Sequence, residues 1–406
     1  MKRILIFSIT YHPYIGGAEI AIKEITDRIP DVHFDMVTLR LSDDVPHFER
    51  IGNVNIHRIG FVKKGKLKNS RVVFPLSLNK YFFTFYACLH ALRLHKKHAY
   101  NMTWAMMANY AGFAALFFKI LKPNVKYLLT LQEGDPLSHI KKRIRFVHPI
   151  FLQIFKKADA IQTISTFLKK FAKDAGYTKK IFVIPNGVDT SIYKKYREDS
   201  ELESYKNIVG KKVSEDGKGI NGENIVLVTA SRLVYKNGVD TLIKSLKFLP
   251  QDTRLVVIGD GPLMISLKDI AEDVAFERVL FTGFLEHDVI PKYLSVCDIF
   301  VRPSRSEGFG NSFIEAMACS VPIVGTEVGG ITDFLFDPEK NCEALPTGLF
   351  AKVDNPESVA RAVMKYVKNT KLKEDIIKNA QRMVVLKYEW NSVAKQMNRL
   401  FIDVMK

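Results

Sequence analysis

Short apolar segments alternate with longer amphipathic segments twice along this chain, and this repetition constrains the fold more than any other feature. In the first half, strands are predicted at 3–9, 33–39, 54–60, 126–131, 159–165 and 181–185, and helices at 18–29, 81–97 and 103–121. A second series of strands follows at 224–230, 254–259, 278–283, 297–302, 322–325 and 348–353. Strands that alternate with helices are typical of parallel, doubly wound α/β sheets.

The two series are separated by residues 191–223, which are polar, charged and rich in glycine. A chain of 406 residues is also too long for one ordinary domain. We therefore expect an N-terminal domain over 1–190, a connection over 191–223 and a C-terminal domain over 224–388, with a cleft between the domains. The last helix has no strand to follow, and 389–406 is expected to pack back onto the first domain.

The four cysteines show neither a CxxC pair nor the spacing of metal ligands. Buried free thiols in a reducing compartment are therefore favoured over a disulfide-stapled secreted scaffold. The N-terminal segment has neither the length nor the small-residue cleavage site of a signal peptide. Both observations favour a cytoplasmic protein, and no metal site is predicted.

The formal net charge of +17 comes entirely from the first half of the chain. Before Thr190 there are 30 basic and 13 acidic residues, whereas 30 of each follow it. No acidic residue occurs between Glu49 and Glu133. The basic residues there include Lys63, Lys64, Lys66, Lys68, Arg71, Lys80, Arg93, Lys96 and Lys97, and Lys141, Lys142, Arg143 and Arg145 follow beyond Glu133. Such a charge distribution attracts a polyanion. A generally basic proteome is the alternative explanation.

The residues between these cations indicate which of two polyanions, a membrane surface or a nucleic acid, is the better partner. Residues 81–94 are aromatic and aliphatic, which suits a helix lying in a lipid interface, and a helix facing the core is the alternative. No RNA-binding motif is present, so an anionic membrane surface is favoured over nucleic acid. The uncharged run 99–118 is long enough for a membrane span, but its polar residues favour a buried helix.

The strongest functional motif covers residues 302–330. A predicted strand leads into a glycine-rich turn at Gly308 and Gly310, and a helix is expected to start near Asn311. The first N–H groups of a helix are free to bind an anion, and glycine lets a ligand approach the backbone closely. Glu307 lies before the turn, and Glu315 lies one helical turn after Asn311. These two carboxylates therefore bracket a phosphate-sized site, although either one alone would be assigned as a capping residue.

Three further segments join a predicted strand to a helix. Arg232 and Lys236 follow the first strand of the second half, where an α/β sheet binds ligands. Both cations suit a diphosphate, with surface ion pairs as the alternative. Gly16 and Gly17 form a weaker motif after the first strand, and Gly259 begins a tight turn that we expect to contact the ligand.

Four motifs together resemble family 4 retaining glycosyltransferases of the GT-B fold. They are the E-x7-E segment Glu307–Glu315, the Ser231–Lys236 segment, Pro185-Asn186-Gly187-Val188-Asp189, and Gly16-Gly17-Ala18-Glu19. The resemblance spans nearly the whole chain in the right order. It implies two Rossmann-like domains facing a central cleft, with the nucleotide-sugar donor in the C-terminal domain and the acceptor in the N-terminal domain.

The resemblance also implies individual roles. Glu315 would bind the ribose and Glu307 the hydroxyl groups of the donor sugar, while Arg232 and Lys236 would stabilise the diphosphate. The other implied donor contacts are the backbone around Gly308, Phe309, Gly310 and Asn311, the phosphate-facing Gly16 and Gly17, Gly259, and the base-facing backbone at Phe284 and Leu285. No DxD sequence occurs, and neither a metal nor another cofactor is implied.

One position departs from the family pattern. Many relatives have a histidine after the strand equivalent to 126–131, where this chain has Gln132, Glu133 and Asp135. Glutamine can hydrogen-bond a sugar hydroxyl but cannot transfer a proton. In a front-face retaining mechanism the leaving phosphate takes the acceptor proton, so we assign no base. Gln132, Glu133, Asp135 and Asn186 are the candidate acceptor contacts.

Two functions of different classes follow from these residues. The first is a retaining, metal-independent glycosyltransferase that acts on a glycan or lipid-linked acceptor at the cytoplasmic membrane face, with a UDP- or GDP-linked sugar as donor. The second, motivated by Gln132, is a regulatory or binding subunit that keeps the donor site without turnover. The donor sugar, the acceptor, the linkage and the oligomeric state are not determined by the sequence.

Overall fold

The computed structural model describes residues 2–14, 16–60, 75–135, 144–196, 200–210 and 224–406. The chain forms two compact units, Met1–Asn186 with Trp390–Lys406, and Gly187–Glu389. It therefore passes from one unit to the other twice. Eight of the basic residues on which the polyanion prediction rests lie outside the described residues, namely Lys63, Lys64, Lys66, Lys68, Arg71, Lys141, Lys142 and Arg143.

The first unit is built on an eight-stranded sheet with the order β3-β4-β2-β1-β5-β6-β7-β8. Its strands are β1 (Lys2–Phe7), β2 (Val32–Leu39), β3 (Phe48–Ile51), β4 (Val54–Ile59), β5 (Met102–Met106), β6 (Lys126–Leu131), β7 (Ala160–Thr163) and β8 (Ile181–Val183). All neighbours are parallel except β3 and β4, which are antiparallel. The helices are α1 (Gly17–Asp27), α2 (Pro75–His98), α3 (Tyr110–Leu121), α4 (His148–Lys156) and α5 (Thr166–Asp174).

The second unit contains a six-stranded, all-parallel sheet with the order β11-β10-β9-β12-β13-β14. Its strands are β9 (Val226–Ala230), β10 (Arg254–Ile258), β11 (Val279–Gly283), β12 (Ile299–Val301), β13 (Ile323–Thr326) and β14 (Leu349–Ala351). The helices are α6 (Ser200–Val209), α7 (Val239–Ser245), α8 (Met264–Ala275), α9 (Ile290–Val296), α10 (Asn311–Ala318), α11 (Pro356–Lys368) and α12 (Thr370–Met383). Each predicted strand of this half is present.

Helices cover both faces of the first sheet, as a doubly wound fold requires. On one face, Ile4 and Ile6 of β1 share a core with α1 and the C-terminal helix α13 (Trp390–Met405). On the other face, Phe7 contacts Phe118 of α3, with ring centroids 6.3 Å apart. Strands buried on both faces carry continuous apolar sequences, which explains why the sequence reveals most of them.

Two strands of the first sheet differ from the prediction. The segment 103–121, predicted as one helix, is instead strand β5 followed by α3. Residues Met102–Met106 are buried throughout and pair with both β1 and β6. Asn109 then caps α3, since its side chain accepts a hydrogen bond from the N–H of Ala111 at 2.9 Å. Strand β3 was not predicted, because it is a four-residue edge strand with only alternate residues partly buried.

Helix α2 has both of the environments considered for residues 81–94. Phe83, Ala87, Cys88 and Ala91 are buried against the unit. Five large side chains on the same helix are exposed, namely Tyr81, Phe82, Phe85, Tyr86 and Leu89. Over the described part of the chain, none of the helices combines the length and hydropathy that crossing a membrane requires.

The chain returns to the first unit between Glu389 and Trp390, and residues on each side of this point make specific contacts. Before the crossing, the N–H of Val188 donates to the carbonyl of Tyr388 at 2.7 Å, so the two crossing segments lie side by side. After it, Phe401 of α13 packs against Trp104 and Phe34, with centroid distances of 5.0 and 6.1 Å. Helix α13 is thus part of the first unit's core. Helix α6, within the predicted connection 191–223, packs on α9 and belongs to the second unit.

The cysteines correct one expectation. All four are free thiols, and Cys88, Cys297 and Cys319 are buried as expected. Cys342 is exposed instead, because it lies in an irregular segment between β13 and β14 rather than in a buried strand or helix face.

Phe401→Ala is expected to lower the free energy of unfolding of the first unit by roughly 3 to 5 kcal/mol, because it leaves a cavity beside Trp104. Urea denaturation followed by tryptophan fluorescence measures this unit specifically, since the chain has two tryptophans and both Trp104 and Trp390 lie in its core. Lys395→Ala on the exposed face of the same helix is the matched control. Equal stability of the two variants would contradict the packing of α13 in this core.

Candidate active site

Apart from Gly16 and Gly17, the predicted donor residues lie in the segments that follow the carboxyl ends of the strands of the second sheet. Strand β9 has β10 on one side and β12 on the other, so the strand order reverses between β9 and β12. In open α/β sheets the crevice at such a reversal is the usual ligand site. The loop after β9 carries Arg232 and Lys236, and the loop after β12 carries Glu307. The fold therefore brings together two motifs that are about 70 residues apart in the sequence.

A buried arginine that the sequence reasoning missed lies at the centre of this site. Arg302 directly follows β12 and is only 6% exposed. Its Nε donates to Ser304 Oγ at 3.1 Å and its Nη1 to Ser312 Oγ at 2.7 Å, while Nη2 pairs with the Glu307 carboxylate. Burial lowers the pKa of Arg302 to about 10, although the nearby charge of Glu315 raises it. Both residues of the E-x7-E motif are thus close to one buried cation.

The two glutamates differ in how they meet this cation. Glu307 pairs with Arg302 through one oxygen, and its other oxygen accepts the N–H of Gly308 at 3.0 Å. Glu315 is half-buried on α10. Burial raises the pKa of Glu315 to about 7, although the charge of Arg302 lowers it. Glu307 is thus ion-paired with Arg302, whereas the carboxyl group of Glu315 has its pKa near neutral pH.

Tyr193 is a second residue that the sequence reasoning missed. It follows the Pro185–Asp189 motif and is buried, and its hydroxyl lies 3.0 Å from His287 Nδ1. Burial raises its pKa strongly, and the charge of Glu315 adds to the effect. Tyr193 therefore connects the neighbourhood of Glu315 to the loop after β11, which carries Phe284 and Leu285. Phe284 is 65% exposed, so its ring is open to a stacked ligand.

The two predicted cations of the β9 loop lie on a turn that Arg305 fixes in place. Arg232 is exposed and Lys236 is half-buried. The N–H of Arg305 donates to the carbonyl of Lys236 at 2.7 Å, and its guanidinium stacks 4.1 Å from the Tyr235 ring centroid. Both Nη atoms also contact the carboxylate of Asp240, at 2.9 and 2.8 Å. A bidentate pair of this kind fixes geometry as well as charge.

Two glycines allow the loops of the site to approach one another. Gly329, after β13, has φ +54°, and a Cβ there would lie 1.8 Å from the carbonyl oxygen of Glu307. Gly238, at the end of the Lys236 turn, has φ +67°, and its Cβ would lie 2.1 Å from the carbonyl oxygen of Pro303. Any side chain at either position would displace the loop that carries Glu307.

The start of helix α10 is as predicted. The helix begins at Asn311 after Gly310, whose φ is +106°. The N–H of Phe313 donates to the carbonyl of Gly310 at 3.1 Å, so the helix begins directly at the glycine-rich turn that carries Gly308. Phe309 is buried, and its ring packs against Phe334 and Tyr388 at 5.5 and 5.6 Å. On the β10 side, the N–H of Gly259 donates to the carbonyl of Gly283 at 2.8 Å, so the segment after β10 pairs with the end of β11.

The predicted acceptor residues lie together at the carboxyl ends of β6 and β8 in the first unit. Gln132 and Asn186 are buried and exchange amide hydrogen bonds of 3.2 and 3.3 Å. Glu133 accepts the N–H of Ala108 at 2.6 Å. Burial raises the pKa of Glu133 to about 7, against the effect of backbone hydrogen bonds. Asp135 is exposed.

Gly16 and Gly17 lie at the start of α1 in the same unit. Gly17 is the first residue of the helix, and Gly16 is its N-cap in an extended conformation. A Cβ on Gly16 would lie 2.8 Å from Glu19 Oε2. Glu19 in turn accepts a hydrogen bond from Thr10, so it orders this loop.

Gly329→Ala is expected to destabilise the second unit by at least about 2 kcal/mol more than Gly283→Ala, because the Glu307 backbone must move. Gly283 is the matched control: its φ is +73°, yet its Cβ would meet nothing within 4 Å. Backbone strain alone costs roughly 1 to 2 kcal/mol. Differential scanning calorimetry measures the difference, and equal losses would disprove the close contact at Glu307.

Two family models match nearly the whole chain between them. The model of Glycosyltransferase Family 4 matches residues 15–192, and that of Glycosyl transferases group 1 matches residues 211–383. An uncharacterized glycosyltransferase of Methanocaldococcus jannaschii is 23% identical over 407 residues, which cover 100% of this chain and 99% of the relative. A GDP-mannose-dependent alpha-(1-6)-phosphatidylinositol monomannoside mannosyltransferase of Mycolicibacterium smegmatis is 29% identical over 197 residues, 46% of this chain and 48% of that protein.

Solved structures confirm the predicted fold class. Sucrose-phosphate synthase of Thermosynechococcus elongatus matches with a TM-score of 0.79 at 17% identity, covering 100% of this chain and 99% of that one. Anabaena Alr3699/HepE in complex with UDP-glucose matches with a TM-score of 0.76 at 18% identity, covering 99% and 100%. Two parallel-sheet α/β units are the architecture of GT-B glycosyltransferases. With family models matched in both halves, the chain belongs to the family 4 glycosyltransferases of the GT-B fold.

Proposed function

We propose that this protein is a retaining glycosyltransferase that moves a hexose from a nucleotide-diphosphate sugar to a glycan or lipid-linked acceptor at the cytoplasmic membrane face. Such a reaction serves the synthesis of cell-surface polysaccharide or glycolipid. The observation that carries the proposal is the cluster of Arg302, Glu307 and Glu315 at the strand-order reversal of the second sheet. It lies beside the N-terminus of α10, where a diphosphate is favoured.

In this proposal the donor diphosphate binds at the start of α10, and Arg232 and Lys236 face it from the β9 loop. Its negative charge grows as the bond to the sugar breaks, so these cations and the helix N–H groups stabilise the transition state more than the ground state. We assign this role to them instead of to a metal ion. The base of the nucleotide contacts the backbone at Phe284 and Leu285.

The two glutamates bind the two sugars of the donor. The carboxylate of Glu315 accepts hydrogen bonds from the ribose hydroxyls. Glu307 accepts from hydroxyls of the transferred sugar, and its ion pair with Arg302 fixes its orientation. This assignment of roles agrees with the surroundings of each carboxyl group. Glu307 already has Arg302 as its counter-ion, whereas the carboxylate of Glu315 is stabilised further when a ligand hydroxyl donates to it.

The transfer step requires no protein base. The acceptor hydroxyl oxygen forms the new bond to the anomeric carbon on the face from which the phosphate departs, which retains the configuration. The bond between the anomeric carbon and the phosphate oxygen breaks, and the hydroxyl proton passes to that phosphate. Gln132, Asn186, Glu133 and Asp135 hold the acceptor. Of these, Glu133 has the partly protonated carboxyl group, which can accept from a sugar hydroxyl or donate to one.

The membrane location is supported by the surface of the first unit. Helix α2 exposes five aromatic and aliphatic side chains and ends in Lys96 and Lys97. An apolar surface flanked by cations binds an anionic lipid interface in two ways. Its apolar side chains are buried in the lipid, and its cations are attracted to the anionic head groups. The relative from Mycolicibacterium smegmatis is named for a phosphatidylinositol monomannoside acceptor, which agrees with a membrane-presented substrate.

Glu315→Gln is expected to weaken binding of the preferred nucleotide at least about tenfold, because it removes a charged hydrogen-bond acceptor from the ribose. Calorimetric titration of UDP, GDP and ADP identifies the base. The affinity of the corresponding nucleotide sugar is expected to rise between pH 6 and pH 8 as Glu315 ionises, since the pKa of this group is about 7 and binding favours the carboxylate. The variant is expected to show no such rise.

Glu357→Gln, at an exposed position on α11, controls for loss of a negative charge from the same unit. If none of the three nucleotides binds, or if Glu315→Gln binds like the control, the donor-site assignment is wrong. Turnover of a nucleotide sugar that is lost in Glu307→Gln separates an enzyme from a donor-binding subunit without activity.

Sedimentation with vesicles tests the membrane location. The protein is expected to bind phosphatidylglycerol vesicles but not phosphatidylcholine vesicles. The double variant Phe82→Ser/Phe85→Ser is expected to bind at least about tenfold more weakly, because it removes two exposed aromatic rings that would be buried in the lipid. Phe276→Ser, at a ring equally exposed in the second unit, is the control. No binding by the wild type would refute the membrane location while leaving the donor site untouched.

A further inference from the structure

We propose that the first unit contains a pocket for an anionic amphiphile, a molecule with a phosphate head and an apolar chain, between the β3–β4 hairpin and helix α2. The cavity has a volume of about 510 Å³, within the range of roughly 300 to 1,000 Å³ that is usual for small-molecule sites. It includes none of the residues assigned above to the donor or the acceptor, so it can be tested independently of glycosyl transfer.

The cation Arg93 at the cavity favours an anionic ligand, whereas His57 lies 3.6 Å from the carboxylate of Asp35. The basic wall residues of the cavity are His47, His57, Arg58, His90 and Arg93, and among the described residues no carboxylate lines it. Arg58 is already committed, since it pairs with Glu49 and donates to the carbonyl of His12 at 2.7 Å. Arg93 lies exposed on α2, a helix without a single acidic residue. A phosphate would meet Arg93 without competition from a neighbouring acid on this helix.

His90, which lines the same cavity, carries an unsatisfied polar atom. Within the described structure, His90 Nε2 is buried and has no hydrogen-bond partner, although buried polar atoms are nearly always paired. The ring of His90 lies 5.4 Å from that of His57, which in turn lies 5.0 Å from that of Phe48. A phosphate oxygen that reached this nitrogen would supply its missing partner, and the phosphate charge would be compensated by Arg93.

The exposed apolar side chains at the rim of the cavity favour a ligand with an alkyl chain. Tyr86 and Leu89 line it and are 44% and 54% exposed. Phe82 extends this surface one turn further, with its ring 6.2 Å from that of Tyr86. Residues 82, 86, 89 and 93 recur at helical spacing and therefore form one stripe, with the cation at one end and the rings along it. A head group at His90 and Arg93 places an alkyl chain on this stripe.

Calorimetric titration of the full-length protein with octyl phosphate, below its micelle concentration, tests the pocket. We expect binding at least about tenfold tighter than that of inorganic phosphate, glucose 1-phosphate or octyl glucoside, because each of these lacks one half of the ligand. His90→Leu and Arg93→Gln are each expected to weaken octyl phosphate at least about tenfold. Arg50→Gln removes an exposed cation from β3, outside the cavity, and is expected to change nothing.

Each contrary result overturns a defined part of the proposal. Glucose 1-phosphate binding as tightly as octyl phosphate would identify a site for soluble phosphate esters instead of a lipid head group. Octyl glucoside binding equally well, or Arg50→Gln weakening binding as much as Arg93→Gln, would reveal surface adsorption and refute the pocket. Tryptophan fluorescence verifies that the variants fold. Because Arg93 is exposed, Arg93→Gln keeps the test decisive even if His90→Leu is unstable.

Discussion

The ion pair and hydrogen bonds of the buried Arg302 guanidinium are the interactions on which the rest of the candidate donor site depends. A charge can be buried only when it is paired and its hydrogen bonds are satisfied. Glu307, Ser304 and Ser312 supply these partners, and they come from the end of β12, the glycine-rich turn and the start of α10. Their positions are therefore fixed together, and Gly329 and Gly238 make the required backbone approach possible.

Much of the fold follows from hydrophobic patterning alone. Strands such as β1, β9 and β10 are buried on both faces and bounded by turn residues, so the sequence reveals them. Strand β5 was not predicted because it and the helix α3 that follows are both buried and uncharged. Periodicity cannot separate two short buried elements of the same composition. Strand β3 escaped because an edge strand of four residues has little burial to impose a pattern.

The site was predictable to the extent that its residues are neighbours in the sequence. Glycine turns and helix starts are local, so Glu307, Gly310 and Glu315 could be placed. Arg305, Tyr193 and Arg302 were missed. Arg305 meets Asp240 across 65 residues and Tyr193 meets His287 across 94, and such pairs form only when the strand order is known. Arg302 had a local signal, since a charged residue directly after a fully buried strand requires a partner.

Each unit has one candidate site carboxyl group whose pKa lies near neutral pH, and the cause is the same in both. Burial raises the pKa of Glu315 and of Glu133 to about 7. A carboxyl group in this state gains a charge when a ligand hydroxyl donates to it, so binding and ionisation reinforce each other. In an enzyme that binds sugars through hydroxyl groups, this coupling favours ligands with a correctly placed donor over those that merely fit the space. In such an enzyme, ligand selectivity depends on the protonation equilibrium of the site as well as on its shape.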